Sequence, residues 1–207
     1  IVASTIPNCV SYDPAFAYEL AVIVQDGLRR MYQEQQDIYY YITVMNENYS
    51  HPAMPNGVEN DILKGMYLFK EGDSDDGNPR VQLLGAGTIL REVIAASEIL
   101  KSEHQIHADI WSVTSFNELR REALRVARWN MLHPEQPKRL SHVQNCLNGR
   151  SGPVIAASDF MKIYADQIRE FIPGKYRVLG TDGFGRSDTR EKLRHFFEVD
   201  RFYITVA

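Results

Sequence analysis

Two short stretches hold the side chains best placed to do chemistry. Asn46-Glu47-Asn48 follows a run of aromatic and β-branched residues, Ile38 to Met45, and so stands at the carboxyl end of a strand. Ligands of parallel sheets bind just beyond strand carboxyl ends, which makes Asn46, Glu47 and Asn48 candidates for contact with a substrate. The competing reading is that they only cap the strand and close a turn. The second stretch is Thr181-Asp182-Gly183-Phe184-Gly185-Arg186-Ser187-Asp188. Its glycines lead from a strand into a helix, and Arg186 carries a fixed charge suited to two-pronged recognition of carboxylate or phosphate. Yet Asp182 and Asp188 are close enough in sequence to pair with Arg186 or Arg190, and aspartate is a common helix cap. Asp182, Gly183, Gly185, Arg186 and Asp188 are therefore read first as a structural turn, with anion recognition as the alternative.

The remaining motifs weaken on inspection. Gly85-Ala-Gly-Thr88 lies between a strand and a helix, where backbone amides can hold a phosphate. It lacks the third glycine of the dinucleotide fingerprint and the lysine of the phosphate loop, so it reads as a tight turn. Gly72-Asp-Ser-Asp-Asp-Gly77 has the look of a calcium loop, but counting from Asp73 the fifth position is Gly77 and the twelfth is Leu84, where oxygen ligands belong. It reads as a solvated loop. His104 and His107 lack a third local ligand and read as exposed loop histidines, so no metal site is expected. His133, His142 and His195 show no partner pattern, whereas His51 adjoins the Asn46–Asn48 candidate. Arg120, Arg121, Arg125 and Arg128 share one helix, with Glu118 and Glu122 placed to pair with Arg121 and Arg125. A solvated helix or a domain interface fits this cluster, because no aromatic residues interleave it for base stacking.

The elements that must position these residues follow from periodicity. Asp13-Pro14 reads as a helix cap, and Phe16, Leu20, Val24, Leu28 and Met31 mark one buried face at helical spacing. The run Ile38 to Met45 reads as a central strand covered on both faces. Residues 50–60, with Pro52, Pro55, Asn56 and Gly57, form the best linker. Strands are then predicted at Gly65 to Phe69, Val81 to Leu84, Ala108 to Val113, Pro153 to Ala157 and Tyr176 to Leu179. Helices are predicted from Gly87 to about Leu100, from a Ser115-Phe-Asn-Glu118 capping box to about Trp129, from Asp159 to about Phe171, and from Asp188. Strands alternating with helices imply a three-layer α/β sandwich with a mostly parallel sheet of about five strands, preceded by a helix-strand tail of a second α/β domain. The division falls at 1–56 and 57–207.

Composition bounds the function. At 207 residues and 44% hydrophobic, the chain can bury a substantial core, and its net charge of −4 gives no general attraction for nucleic acid. Cys9 and Cys146 are too few for a disulfide framework, which suits a reducing cytoplasm. No apolar run approaches the roughly 20 residues needed to span a bilayer. The apolar ends, Ile-Val-Ala-Ser and Phe202 to Ala207, read as those of an excerpt from a larger protein.

Phe184-Gly185 followed by Ser187, with Leu193 and Phe197 in the helix beyond, resembles the last domain of the transketolase superfamily of thiamine diphosphate enzymes. Ser11-Tyr-Asp-Pro14, Tyr41-Ile-Thr-Val-Met-Asn-Glu-Asn-Tyr49 and Asp109-Ile-Trp-Ser-Val-Thr-Ser-Phe116 narrow the resemblance to the single-chain bacterial pyruvate dehydrogenase decarboxylating components, along essentially the whole chain. The resemblance implies the end of a pyrimidine-binding domain followed by a transketolase C-terminal domain truncated at its end. It also implies a parent that uses thiamine diphosphate and Mg2+ to decarboxylate pyruvate and to acetylate the lipoyl group of a dihydrolipoyl acetyltransferase core. Such a parent is a cytoplasmic homodimer, with no nucleic-acid or membrane partner. In the family a glutamate contacts the pyrimidine, histidines assist the substrate, and a Gly-Asp-Gly segment holds magnesium diphosphate. No catalytic or cofactor-binding residue maps onto this chain, which contains no Gly-Asp-Gly and is expected to bind no cofactor and to be inert alone. Glu19, on an amphipathic helix, and Glu47, in no known catalytic motif, do not fill the missing glutamate's role. In transketolases the strand end that matches Asn46 carries an arginine for a sugar phosphate, so the departure suits a substrate without phosphate. Another thiamine diphosphate transferase, and a non-catalytic module of the same fold, are the alternatives.

Overall fold

A computed structural model describes residues 2–73 and 77–207, so Ser74, Asp75 and Asp76 of the 72–77 loop lie outside the described residues. The first unit packs β1 (Cys9–Tyr12) parallel to β2 (Tyr39–Ile42), joined by α1 (Ala17–Leu28) and a π-helical turn, Arg29–Gln33. After the proline-rich segment come α2 (Glu59–Lys64), β3 (Met66–Lys70), β4 (Arg80–Gly85), α3 (Leu90–His104), β5 (His107–Val113), α4 (Phe116–Leu132) and α5 (His142–Leu147). β6 (Val154–Ala157), α6 (Lys162–Asp166), β7 (Tyr176–Leu179), α7 (Arg190–Phe196) and α8 (Arg201–Val206) complete the chain.

These build one five-stranded sheet in the order β3-β5-β4-β6-β7, parallel except for the β3 edge. Alternation along the strands divides its side chains between two cores. Leu84, Trp111, Val154 and Ala156 meet Phe116, Leu119, Val143, Leu147 and Tyr164 on one face. Val81, Leu83, Ile110 and Ile155 meet Leu90, Val93, Leu100 and Ile204 on the other. The result is the expected three-layer sandwich.

Several expectations are corrected. Among the described residues β2 pairs with β1 alone, and Tyr39 and Tyr41 face outward rather than being covered on both faces. The stripe expected to be buried on α1 faces outward at Val24 and Leu28, and the helix buries Glu19, Ile23, Asp26 and Gly27 instead. Periodicity weighs hydrophobicity alone, whereas both acidic groups are buried because they are hydrogen-bonded. Asp26 accepts from Arg29 and from the Tyr40 hydroxyl. Asp13 does not cap α1; Glu19 reaches back to the amides of Ala15 and Phe16. β1, α2, α5 and α8, four to six residues long, were not anticipated. The helix read from Asp159 is the short α6 and a 3-10 turn, Arg169–Phe171. His107 is not in an exposed loop but opens β5, buried. Among the described residues no helix is long and apolar enough to cross a membrane.

Candidate functional site

The carboxyl end of β2 meets the large sheet's helices, and the contact is polar. Thr43, one residue past β2, donates its hydroxyl to the Asp13 carboxylate. Asp13 is buried against the turn before α3, where the Gly87 amide donates to its carbonyl over 3.1 Å. Gly87 has φ +52, and a Cβ there would sit 2.8 Å from Asp13 Oδ1. The turn's last glycine therefore admits a neighbouring carboxylate, which is the structural reading of Gly85-Ala-Gly87. Burial pushes the Asp13 carboxyl up to about 7, against the pull of the Thr43 hydrogen bond.

Glu47 is the centre of the junction. It accepts from Arg91 Nη1 at 2.6 Å, from Arg194 Nη2 at 2.8 Å and from the Thr88 hydroxyl at 3.2 Å. Desolvation alone would raise its carboxyl, but the hydrogen bonds and charges of Arg194 and Arg91 hold it below its ordinary value. Asn46 accepts from Arg190 Nη2. Asn48 is exposed. Tyr49 lies beneath the Arg91 guanidinium, 4.6 Å from ring centroid to carbon, and donates its hydroxyl to the Ala15 carbonyl. His51 stacks on Tyr49 at 4.7 Å and takes the Ala17 amide on Nδ1 at 3.0 Å, so it serves as a cap for α1.

The glycine-rich turn converges on the same place. Asp182 and Asp188 do not pair with Arg186 or Arg190. Asp182 takes the Lys162 amide at 3.1 Å, and Asp188 takes the Thr189 amide at 2.7 Å, with Lys192 Nζ 3.8 Å away. Thr189 caps α7, which begins at Arg190. Gly183 has φ +102 and Gly185 stands in open space. Arg186 lies over the Phe196 ring at 4.4 Å. A cavity of about 290 Å³ between this turn, α7 and Met45 is lined by Asp159, Arg186, Arg190 and Arg194. Arg91, Arg190 and Arg194 escaped sequence reasoning as a group. One signal was available, since Arg190 and Arg194 are four apart on a helix and share a face.

The histidines and the arginine cluster have structural partners. His133 stacks on Trp129, His142 Nε2 contacts the Met66 carbonyl and His195 Nδ1 lies 2.9 Å from Asp200. Arg121 pairs with Glu118 and donates to the carbonyls of Cys9 and Ile6, which makes it an interface residue. Glu122 takes the His142 amide rather than pairing with Arg125.

A mostly parallel sheet with helices on both faces, locked at its strand ends onto the β1-α1-β2 unit, has a transketolase-type C-terminal architecture. Solved structures of that architecture include transketolase from Campylobacter jejuni, with TM-score 0.63 and 17% identity over 99% of this chain and 26% of that one. Another is transketolase from Leishmania mexicana, with TM-score 0.61 and 14% identity over 99% and 25%. The model of the family described as transketolase-like TK C-terminal domain matches residues 65–200, and the chain belongs to that family. A second model, described as the pyruvate dehydrogenase E1 component middle domain, matches residues 1–52. The chain is 62% identical to the pyruvate dehydrogenase E1 component of Cupriavidus necator, over 99% of its own length and 23% of the relative's. It is 62% identical to that of Pseudomonas aeruginosa, over 100% and 24%, and 54% identical to that of Escherichia coli K12, over 98% and 23%. The chain thus spans about a quarter of the length of these relatives.

Among the described residues, no three His, Cys, Asp or Glu side chains are grouped to hold a metal ion. Glu19, fully buried, has both oxygens engaged, by the Ala15 and Phe16 amides on one and by the Tyr67 and Ser112 hydroxyls on the other. Desolvation raises its carboxyl in spite of those four donors.

Proposed function

We propose that this chain is a structural quarter of a thiamine-diphosphate-dependent pyruvate dehydrogenase E1 component. The parent decarboxylates pyruvate and passes the acetyl unit to the lipoyl group of a dihydrolipoyl acetyltransferase. It works as a magnesium-dependent homodimer in the cytoplasm. Residues 1–56 close the pyrimidine-binding domain, and 57–207 form the C-terminal domain that steadies it. The cofactor supplies the electron sink for loss of carbon dioxide. This chain's residues fix the frame in which that happens. Glu47 pins the strand end to α3 and α7, and Asn46 and Asn48 are thereby presented at the side nearest the substrate.

The observation that carries this reading is the Glu47–Arg91–Arg194 junction, which ties the segment matched by the E1 middle domain to the segment matched by the transketolase C-terminal domain. The 62% identity to E1 components supports pyruvate as substrate. The test is pyruvate-dependent reduction of an electron acceptor by the full-length protein with thiamine diphosphate and magnesium, set beside the 207-residue chain under the same conditions. Turnover by the full-length protein and none by the chain is the expected result. Transfer of ketol units between sugar phosphates without pyruvate turnover, or turnover by the chain alone, would overturn the assignment.

A further inference from the structure

Three guanidinium groups, Arg186, Arg190 and Arg194, line the cavity beside the glycine-rich turn with one carboxylate, Asp159. Around it, Arg91 and Arg201 join Arg186, Arg190 and Arg194, with Glu47, Glu92 and Asp159 among them and Asp200 and Glu191 beside Arg201. Glu47 is shared by Arg91, Arg194 and, at 3.9 Å, Arg190. Glu92 is shared by Arg201 and, at 3.6 Å, Arg194. Arg186 forms no ion pair among the described residues; its guanidinium is held over the Phe196 ring instead. Arg186 is thus left without a carboxylate partner on a concave surface.

The walls of that surface are specific. Arg186, Arg190 and Arg194 line the cavity together with Thr181, while Met45, Leu193 and Phe197 supply apolar wall. At about 290 Å³ the space suits a small molecule rather than a macromolecular segment. Arg194 is 11% exposed and Arg186 rests on an aromatic face, so these forks are partly ordered before any ligand arrives. Guanidinium forks match phosphoryl oxygens two at a time. A phosphomonoester carries close to two negative charges near neutrality, which the forks of Arg186 and Arg190 can meet together. Desolvation raises the Asp159 carboxyl on the same wall, although Arg194 and Arg190 pull it down, which softens its repulsion of an anion.

We infer that the cavity between the 181–186 turn, α7 and Met45 binds the phosphoryl group of a small phosphomonoester, with Arg186 as its principal unpaired ligand. The site adjoins Asn46, which accepts from Arg190, but its test reads binding rather than turnover, so either reading can fail without the other. Glycerol 2-phosphate is the probe, titrated calorimetrically into the protein at fixed ionic strength, with malonate as a dicarboxylate of the same charge. Saturable binding of glycerol 2-phosphate is expected, tighter than that of malonate. Arg186→Gln weakens it roughly tenfold or more, the size of one charge-assisted contact, and Arg186→Lys weakens it less because the charge stays. Arg128→Gln, which removes an exposed charge on α4 outside the cavity, leaves it unchanged. Because Arg186 sits on an exposed turn, its variants keep the parental melting temperature. No saturable binding, or equal weakening by Arg186→Gln and Arg128→Gln, would overturn the site; malonate binding as tightly as the phosphomonoester would overturn the phosphoryl assignment.

Discussion

Glu47 and Asp13 are carboxylates of the same junction whose surroundings push them in opposite directions. Glu47 is held ionised by Arg194 and Arg91 against its desolvation, so its contribution to stability is present above the ordinary glutamate value and fades as pH falls through its lowered one. Glu47→Gln keeps the shape and loses the charge, and is expected to cost about 2 kcal/mol in urea unfolding at pH 7, with the difference shrinking below about pH 4. Asp13 has its folded value raised to about 7 by burial. The folded state therefore holds a proton that the unfolded chain has released above about 3.9, and stability falls as pH rises from about 4 to 7 and levels beyond. Asp13→Asn should flatten that slope and make the protein more stable than wild type at pH 8. A steeper slope, or lower stability at pH 8, would mean that the carboxylate is better solvated than its burial implies. Neither role was visible in sequence. Asp-Pro is a frequent helix start, so the sequence alone reads Asp13 as a cap, and Glu47 is recognisable only once Arg91, 44 positions away, and Arg194 are brought beside it.

Elements were legible where a cap or a bounding turn marked them. The spacing of Ser115 and Glu118 located the start of α4, and the structure keeps half of that box: Ser115 Oγ accepts the Glu118 amide at 3.0 Å. Glu118 turns to Arg121, and the Ser115 amide donates to the Gly65 carbonyl. Ser115→Ala also removes the hydroxyl that donates to the Ser11 carbonyl, so a loss of about 1 to 2 kcal/mol is expected. β6 and β7, only four residues each, were legible because short apolar runs stand between glycine- and proline-bearing turns. What was not legible is why the chain enters β6 through Gly152. That residue has φ +90, and a Cβ there would lie 1.7 Å from the Arg80 carbonyl oxygen. Gly149, with φ +73, has open space around it. Gly152→Ala should therefore lower thermal stability far more than Gly149→Ala, whose cost is about 1 kcal/mol of backbone strain. Equal losses in the two variants would show that β6 can shift away from β4 at little cost.

At the scale of the molecule the central question is whether the two sheets behave as one body. Besides the Glu47 junction, Arg121 reaches from α4 to the carbonyls of Ile6 and Cys9, Asn117 donates to the Ser11 hydroxyl, and Glu19 takes the hydroxyls of Tyr67 and Ser112. These contacts cross the segment that sequence alone reads as a linker, since proline and glycine report local stiffness and not what packs over it. With so many buried polar groups satisfied across the boundary, separating the units would strand donors and acceptors on both sides. The two are therefore expected to unfold together. Each unit carries its own reporter: Trp111 and Trp129 belong to the second, and Cys9, 2% exposed in β1, belongs to the first. In a Cys146→Ser background, thiol labelling of Cys9 and tryptophan fluorescence should follow a single urea transition. Arg121→Ala removes the clamp from β1 without touching the five-stranded sheet, so Cys9 should become reactive at lower urea while the fluorescence midpoint moves less. Cys9 labelling well before fluorescence changes in the protein with Arg121 intact would mean that the first unit is held by something other than these crossings.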